Sequence, residues 1–141
     1  MVSSDAFSII VKRITVMFAG VSTNGTSNLM VQLGTSGGID NANYSYGASE
    51  GSGRASSTTA AGFIITYSNA AANIGYGVVT IVNVSSNVWI EQGLVSFPNG
   101  SVQTEVSSGG KTLSDVLDRV RITTVNGTDT FDAGTINIMW E

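Results

Sequence analysis

The chain has 141 residues, no cysteine, no histidine and one proline, and 62 of its residues (19 Ser, 15 Thr, 11 Asn and 17 Gly) are small, polar or flexible. Without His or Cys there is no Ser-His-Asp triad, no thiolate nucleophile and no zinc site of the usual nitrogen and sulfur type. A net charge of −4 removes the electrostatic footprint of a nucleic-acid binder, and charged residues at 11% leave solubility to hydroxyls and amides.

The length fits one domain, residues 1–141, able to bury a core without disulfide or metal. No apolar run approaches the length of a membrane span, and Met1 to Ile10 lacks the basic region and apolar block of a signal peptide. The expectation is a chain assembled in a cytoplasm, with no membrane insertion.

Valine and isoleucine together number 28 against five leucines, which points to an all-β chain, because branched side chains lose rotamer freedom on a helix and pack well on a pleated sheet. In chain order, Ile14, Val16 and Phe18 alternate with Arg13, Thr15 and Met17, and Leu29, Val31 and Leu33 alternate with Met30 and Gln32. From about 35 to 61 small residues dominate, and the segment reads as a long surface loop with at most one irregular strand near Asn43 to Tyr46. Phe63, Ile65 and Tyr67 then alternate with Ile64 and Thr66. Val78 to Val84 and Val88 to Val95 are apolar on both faces over most of their length, as in central strands covered twice or in strands lining a subunit interface. Val120 and Ile122, then Ile136, Ile138 and Trp140, complete the pattern.

Three Asn-Gly pairs, at Asn24, Asn99 and Asn126, mark turns between these runs. Leu94–Phe97 and Val102–Val106 are expected to form a hairpin around the second, and Val120 to Thr124 a hairpin with Ile136 to Trp140 around the third, the last strand closing a sheet beside the first. Thr112 to Asp115 has the spacing of a capping box and is either a short helix over an open end or a turn with buried leucines. About eight or nine such strands make a β-sandwich of jelly-roll type.

Glycan hydrolysis needs two carboxylates. Asp115 and Asp118, and Asp129 and Asp132, are spaced alike, but Asp at such positions commonly hydrogen-bonds its own turn or pairs with Arg119 or Arg121. Asn126, Asp129 and Asp132 could offer oxygen ligands to calcium, yet they lack the EF-hand pattern. The chain is read as non-enzymatic, with no metal and no cofactor. Tyr44 and Tyr46, beside Asn41 and Asn43, have the make-up of a saccharide site, an aromatic face for the sugar ring and amides for its hydroxyls. Alternatively one Tyr anchors the loop to the sheet. Trp89 and Trp140 lie on strand patterns and are read as core or subunit interface.

From Lys12 to Glu141 the sequence resembles a β-rich C-terminal module of tail fibre and other virion proteins of tailed bacteriophages. The resemblance is carried by 12–18, 20–25, 31–34 and, above all, 118–134 followed by Ile136-Asn137-Ile138. It implies a homotrimeric β-sandwich tip displayed on a virion, in contact with other virion proteins and with a host surface receptor or glycan. It implies no catalytic residue. The module generally ends a longer polypeptide, whereas this sequence starts at Met1. That start fits either a fragment or a stand-alone virion protein, and the latter strengthens an alternative: a capsid decoration, cement or head-fibre protein that binds only other virion proteins.

Overall fold

The computed structural model describes residues 11–51, 56, 57, 59–99 and 104–141. Among them there is no helix, and the strands form two antiparallel sheets. In chain order the segments are β1 (Arg13–Thr23), β2 (Leu29–Thr35), β3 (Gly38–Ile39), β4 (Ser45–Glu50), β5 (Ser56–Ser57), β6 (Phe63–Ile64), β7 (Gly75–Ser85), β8 (Val88–Ser96), β9 (Thr104–Thr112), β10 (Arg119–Thr124) and β11 (Phe131–Trp140). The larger sheet runs β11-β1-β7-β8-β9-β4-β5, and in the smaller one β2 pairs with β10 on one side and with β3 and β6 on the other.

The two sheets share one core. β1 contributes Ile14, Val16 and Phe18, β7 contributes Val79 and Ile81, and these pack with Leu29, Val31 and Leu33 of β2 and Phe63 of β6. The alternation in β1 is that expected for a half-buried strand. β2 departs from its expected single inner face: all seven residues are buried. Its second face is covered by the chain at Ala61, whose carbonyl accepts from Gln32 Nε2 at 2.8 Å, while Gln32 Oε1 accepts from Arg121 Nε at 2.6 Å. Phe63 to Thr66 are likewise buried on both faces.

The final strand lies beside the first, with Ile14 opposite Trp140 and Val16 opposite Ile138. β8 and β9 form the expected hairpin, Leu94 opposite Val106. Asn126-Gly127 is a different case. β10 pairs with β2 and β11 with β1, so this turn carries the chain from one sheet to the other and is not a hairpin. Asn24-Gly25 makes a similar crossing between β1 and β2. The two crossings lie side by side. Asn24 N–H donates to the Thr130 carbonyl at 3.0 Å, Thr130 N–H to Asn24 Oδ1 at 2.8 Å, and Ser27 N–H to Asp129 Oδ2 at 2.9 Å. A Cβ on Gly25 would overlap the Asp129 carboxylate, so glycine is needed there for the close approach.

One further expectation is corrected, and one pair of alternatives is decided. Residues 35–61 are not one long loop: Ser45–Glu50 pairs with β9 over six residues, its backbone hydrogen-bonding to the edge of that strand, which a reading of side-chain pattern alone does not register. Of the two readings of Thr112 to Asp115 the structure fits the turn with buried leucines: at Ser114 and Asp115 the chain bends, Leu113 is buried, and Leu117 packs partly buried against the core.

Inside the larger sheet, Gly93 leaves room for two polar side chains. A Cβ there would lie 2.9 Å from Glu91 Oε1 and 3.0 Å from Val79 Cγ2, and would overlap Ser107 Oγ. Gly93→Ala is therefore expected to destabilise the fold by about 1–3 kcal/mol through overpacking. Urea unfolding of the two proteins measures the difference.

Candidate functional site

β8 and β9 turn their charged residues inward. Glu91, Glu105 and Lys111 are only 3%, 0% and 4% exposed, and Trp89 and Ser107 share their side of the sheet. A buried ammonium needs an anion and oxygen acceptors. Lys111 Nζ meets Asp40 Oδ2 at 2.7 Å and the Ala42 carbonyl at 2.6 Å, and lies 4.8 Å from the centre of the Tyr44 ring. Glu105 accepts from the backbone N–H groups of Tyr67 and Ser68. Glu91 Oε1 accepts from Ser107 Oγ at 2.7 Å, but its Oε2 and the Trp89 Nε1 have no partner among the described residues. Burial pushes the Glu91 carboxyl up to about 7 against the Ser107 hydrogen bond, and burial likewise raises Glu105 to about 7 against its two backbone donors.

The four residues proposed for a saccharide do not form one surface. Asn41 and Asn43 are exposed, Asn43 with φ 58°. Tyr44 is 4% exposed and anchors the loop: its hydroxyl accepts from Leu33 N–H at 2.8 Å and donates to the Asp40 carbonyl at 3.0 Å, and its ring meets Phe63 edge to face at 4.9 Å. Burial pushes this phenol up to about 12. No face of Tyr44 is open to a sugar ring, and the Tyr46 side chain lies outside the described residues.

The remaining carboxylates are used locally. Asp129 accepts from Asn126 Nδ2 at 2.8 Å and from Ser27 N–H, and those bonds hold its pKa below the usual range. Asp132 turns to Ser22 Oγ instead, so the three oxygen-bearing residues of the calcium reading do not converge. Asp118 pairs with Arg119 at 2.6 Å, which lowers its pKa. Asp115 Oδ1 accepts from the Val116 N–H at 2.7 Å. Trp89 is core, whereas Trp140 is 63% exposed at the rim of a cleft of about 330 Å³ shared with Val11, Ile14, Leu117 and Ile138.

The outer face of β7, β8 and β9 carries the opposite chemistry. Tyr76, Val78, Val82, Ile90, Leu94 and Val106 are all exposed there. Val78, Leu94 and Val106 are direct neighbours across three strands, a row that Met17 of β1 extends. On these three strands every described outward position is uncharged. The strands that the sequence left as either twice covered or interface-lining are thus covered on one face only. Sequence reasoning missed Glu91, Glu105 and Lys111 because single charges in strands normally face water; the available signal was that Glu91 lies at the parity opposite to Ile90 and Leu94, and Glu105 and Lys111 share one parity opposite to Val106.

No family model, curated protein or solved structure matches the chain. Among the described residues, no helix is long and apolar enough to cross a membrane.

The Glu91 carboxyl titrates higher in the folded chain than its ordinary 4.5, so the folded state takes up that proton first as pH falls. Stability is then lost as pH rises from 4.5 to about 7, with a penalty on the order of 3 kcal/mol complete above that range. Urea unfolding at pH 5 and pH 8 should show the chain more stable at the lower value, and Glu91→Gln should shrink the difference. Tyr44→Phe, which strands the Leu33 N–H, is expected to cost about 1–3 kcal/mol in the same assay.

Proposed function

We propose that the chain is a structural protein of a bacteriophage virion: a homotrimeric, jelly-roll-like β-sandwich at the distal part of a tail fibre, binding a host surface receptor or glycan without covalent chemistry. The observation that carries self-association is the outer face of β7, β8 and β9, where Tyr76, Val78, Val82, Ile90, Leu94 and Val106 are exposed while Glu91, Glu105 and Lys111 of β8 and β9 are buried. Burying charge and exposing apolar side chains both cost stability in an isolated chain, and a partner covering the outer face offsets the second cost. The sandwich reading rests on two antiparallel sheets meeting across one core. The virion reading rests on the resemblance carried by 118–134 and on an inert surface of hydroxyls and amides.

A second reading, a decoration or cement protein on the phage head that binds only virion proteins, is favoured by the burial of Tyr44. That burial takes away an aromatic platform for a glycan, and the apolar sheet face suits protein contact better than sugar.

Antibody raised against the chain and imaged on intact phage particles by electron microscopy tests both readings. Label at fibre tips is the expected result. Label on the head replaces the first reading with the second, and particles without label overturn both.

A further inference from the structure

We infer that the outer face of β7, β8 and β9 is the contact between copies of this chain, and that an apolar ridge on one copy seats in a dimple on the next. The inference rests on the self-association proposed above and assigns it a surface. The ridge is the row Val78, Leu94 and Val106, neighbours in register across the three strands. The dimple lies toward the opposite end of the same strands. There Val82 pairs with Ile90, and Ile90 pairs with Gly110, which has no side chain to fill the next place. Thr80, Gln92 and Ser108 close the side nearest the ridge, and the hollow measures about 380 Å³. Both halves of the contact are therefore present on one face.

Three observations favour a second copy as the occupant. First, each copy carries a charge of −4, so copies repel through most of their surface, and the described outward positions of this face add nothing to that repulsion. A charged partner would find no complementary group here. Second, the area is adequate. Six side chains between 37% and 52% exposed present roughly 500 Å² of apolar surface, near the upper end of patches on monomeric proteins. With the intervening Gln92, Ser108 and Thr104 the face approaches the ~800 Å² that each partner contributes to a standard interface. Third, ridge and dimple lie on one face, so the face is complementary to itself and a second copy brings both halves of the contact; three copies in a ring are the arrangement proposed for it.

The test uses the full chain in sedimentation equilibrium at micromolar concentration. The wild type is expected at three times the chain mass. Leu94→Glu places a charge in the ridge and is expected to weaken association by about 30-fold or more, with an unchanged far-ultraviolet circular dichroism spectrum. Val116→Glu, at an exposed apolar position outside the face, is expected to leave the mass unchanged. Should Leu94→Glu fail to fold, Gln92→Cys supplies a second route, because the chain has no other thiol. A short bis-maleimide is then expected to join chains at Cys introduced for Gln92 and not at Cys introduced for Val116. A monomeric wild type, a folded Leu94→Glu variant that still associates, or equal cross-linking at both positions overturns the inference. A dimeric wild type that Leu94→Glu dissociates supports the face and overturns the trimer, and neither result depends on where antibody labels the particle.

Discussion

The salt bridge between Lys111 and Asp40 is where the halves of this molecule depend on each other. A buried ammonium is tolerable only when an anion and carbonyl oxygens take the place of water. Lys111 therefore requires the chain after β3 to turn inward, so that Asp40 and the Ala42 carbonyl reach it. Tyr44 follows within the same stretch, stacks under the ammonium and bonds to β2 at Leu33. With those residues held, Ser45–Glu50 is delivered beside β9 and extends the larger sheet. One ionic contact thus ties the smaller sheet to the larger one and decides the path of a segment with few large side chains of its own.

At the other crossings polar bonds replace apolar packing. The turns at Asn24 and Asn126 each move the chain between sheets, and each turn satisfies the other's backbone donors. Asn69 joins them, its side chain donating to Thr23 Oγ1 and to the Ser27 carbonyl. Here the abundance of Asn, Ser, Thr and Asp has a structural purpose: short side chains with both donors and acceptors bridge loops that a leucine could only cover. The same use of Asp129 and Asp132 explains why spacing alone was a weak sign of chemistry.

The distribution of polarity gives the larger sheet two unlike faces. Its inner side beneath β8 and β9 is a partnered polar network, apart from Glu91 Oε2 and Trp89 Nε1. Its outer side on β7, β8 and β9 is uncharged and carries exposed apolar residues. In an isolated antiparallel sheet the apolar set faces the core and the polar set faces water. Here the inner face supplies Val79, Ile81, Trp89 and Val95 to the core, and apolar residues stand on the outer face as well; that second apolar face is the physical basis for treating it as an assembly surface, and it ties the function proposed for this protein to strand parity instead of to any reactive side chain.

Much of this was legible in the residues themselves. The excess of Val and Ile over Leu determined the all-β class, period-two alternation determined the inner face of β1, and Pro98 before Asn99 marked the β8–β9 hairpin, because each is a local steric preference. The pairing of β11 with β1 was also accessible, since both strands alternate cleanly. The partner of β10 was not. Asn126-Gly127 specifies a turn, but whether the next strand joins the same sheet is decided by which edge is free once β1, β2 and β10 are in place. For Tyr44 a sugar-binding face and a loop anchor both stood open, because nothing local reveals that Lys111, far along the chain, lies over its ring. The two-sided apolar runs of β7 and β8 left covered and interface-lining strands equally open; only the tertiary structure decided that one face is covered and the other exposed, because exposure depends on which layers pack above a strand and not on the strand's own composition.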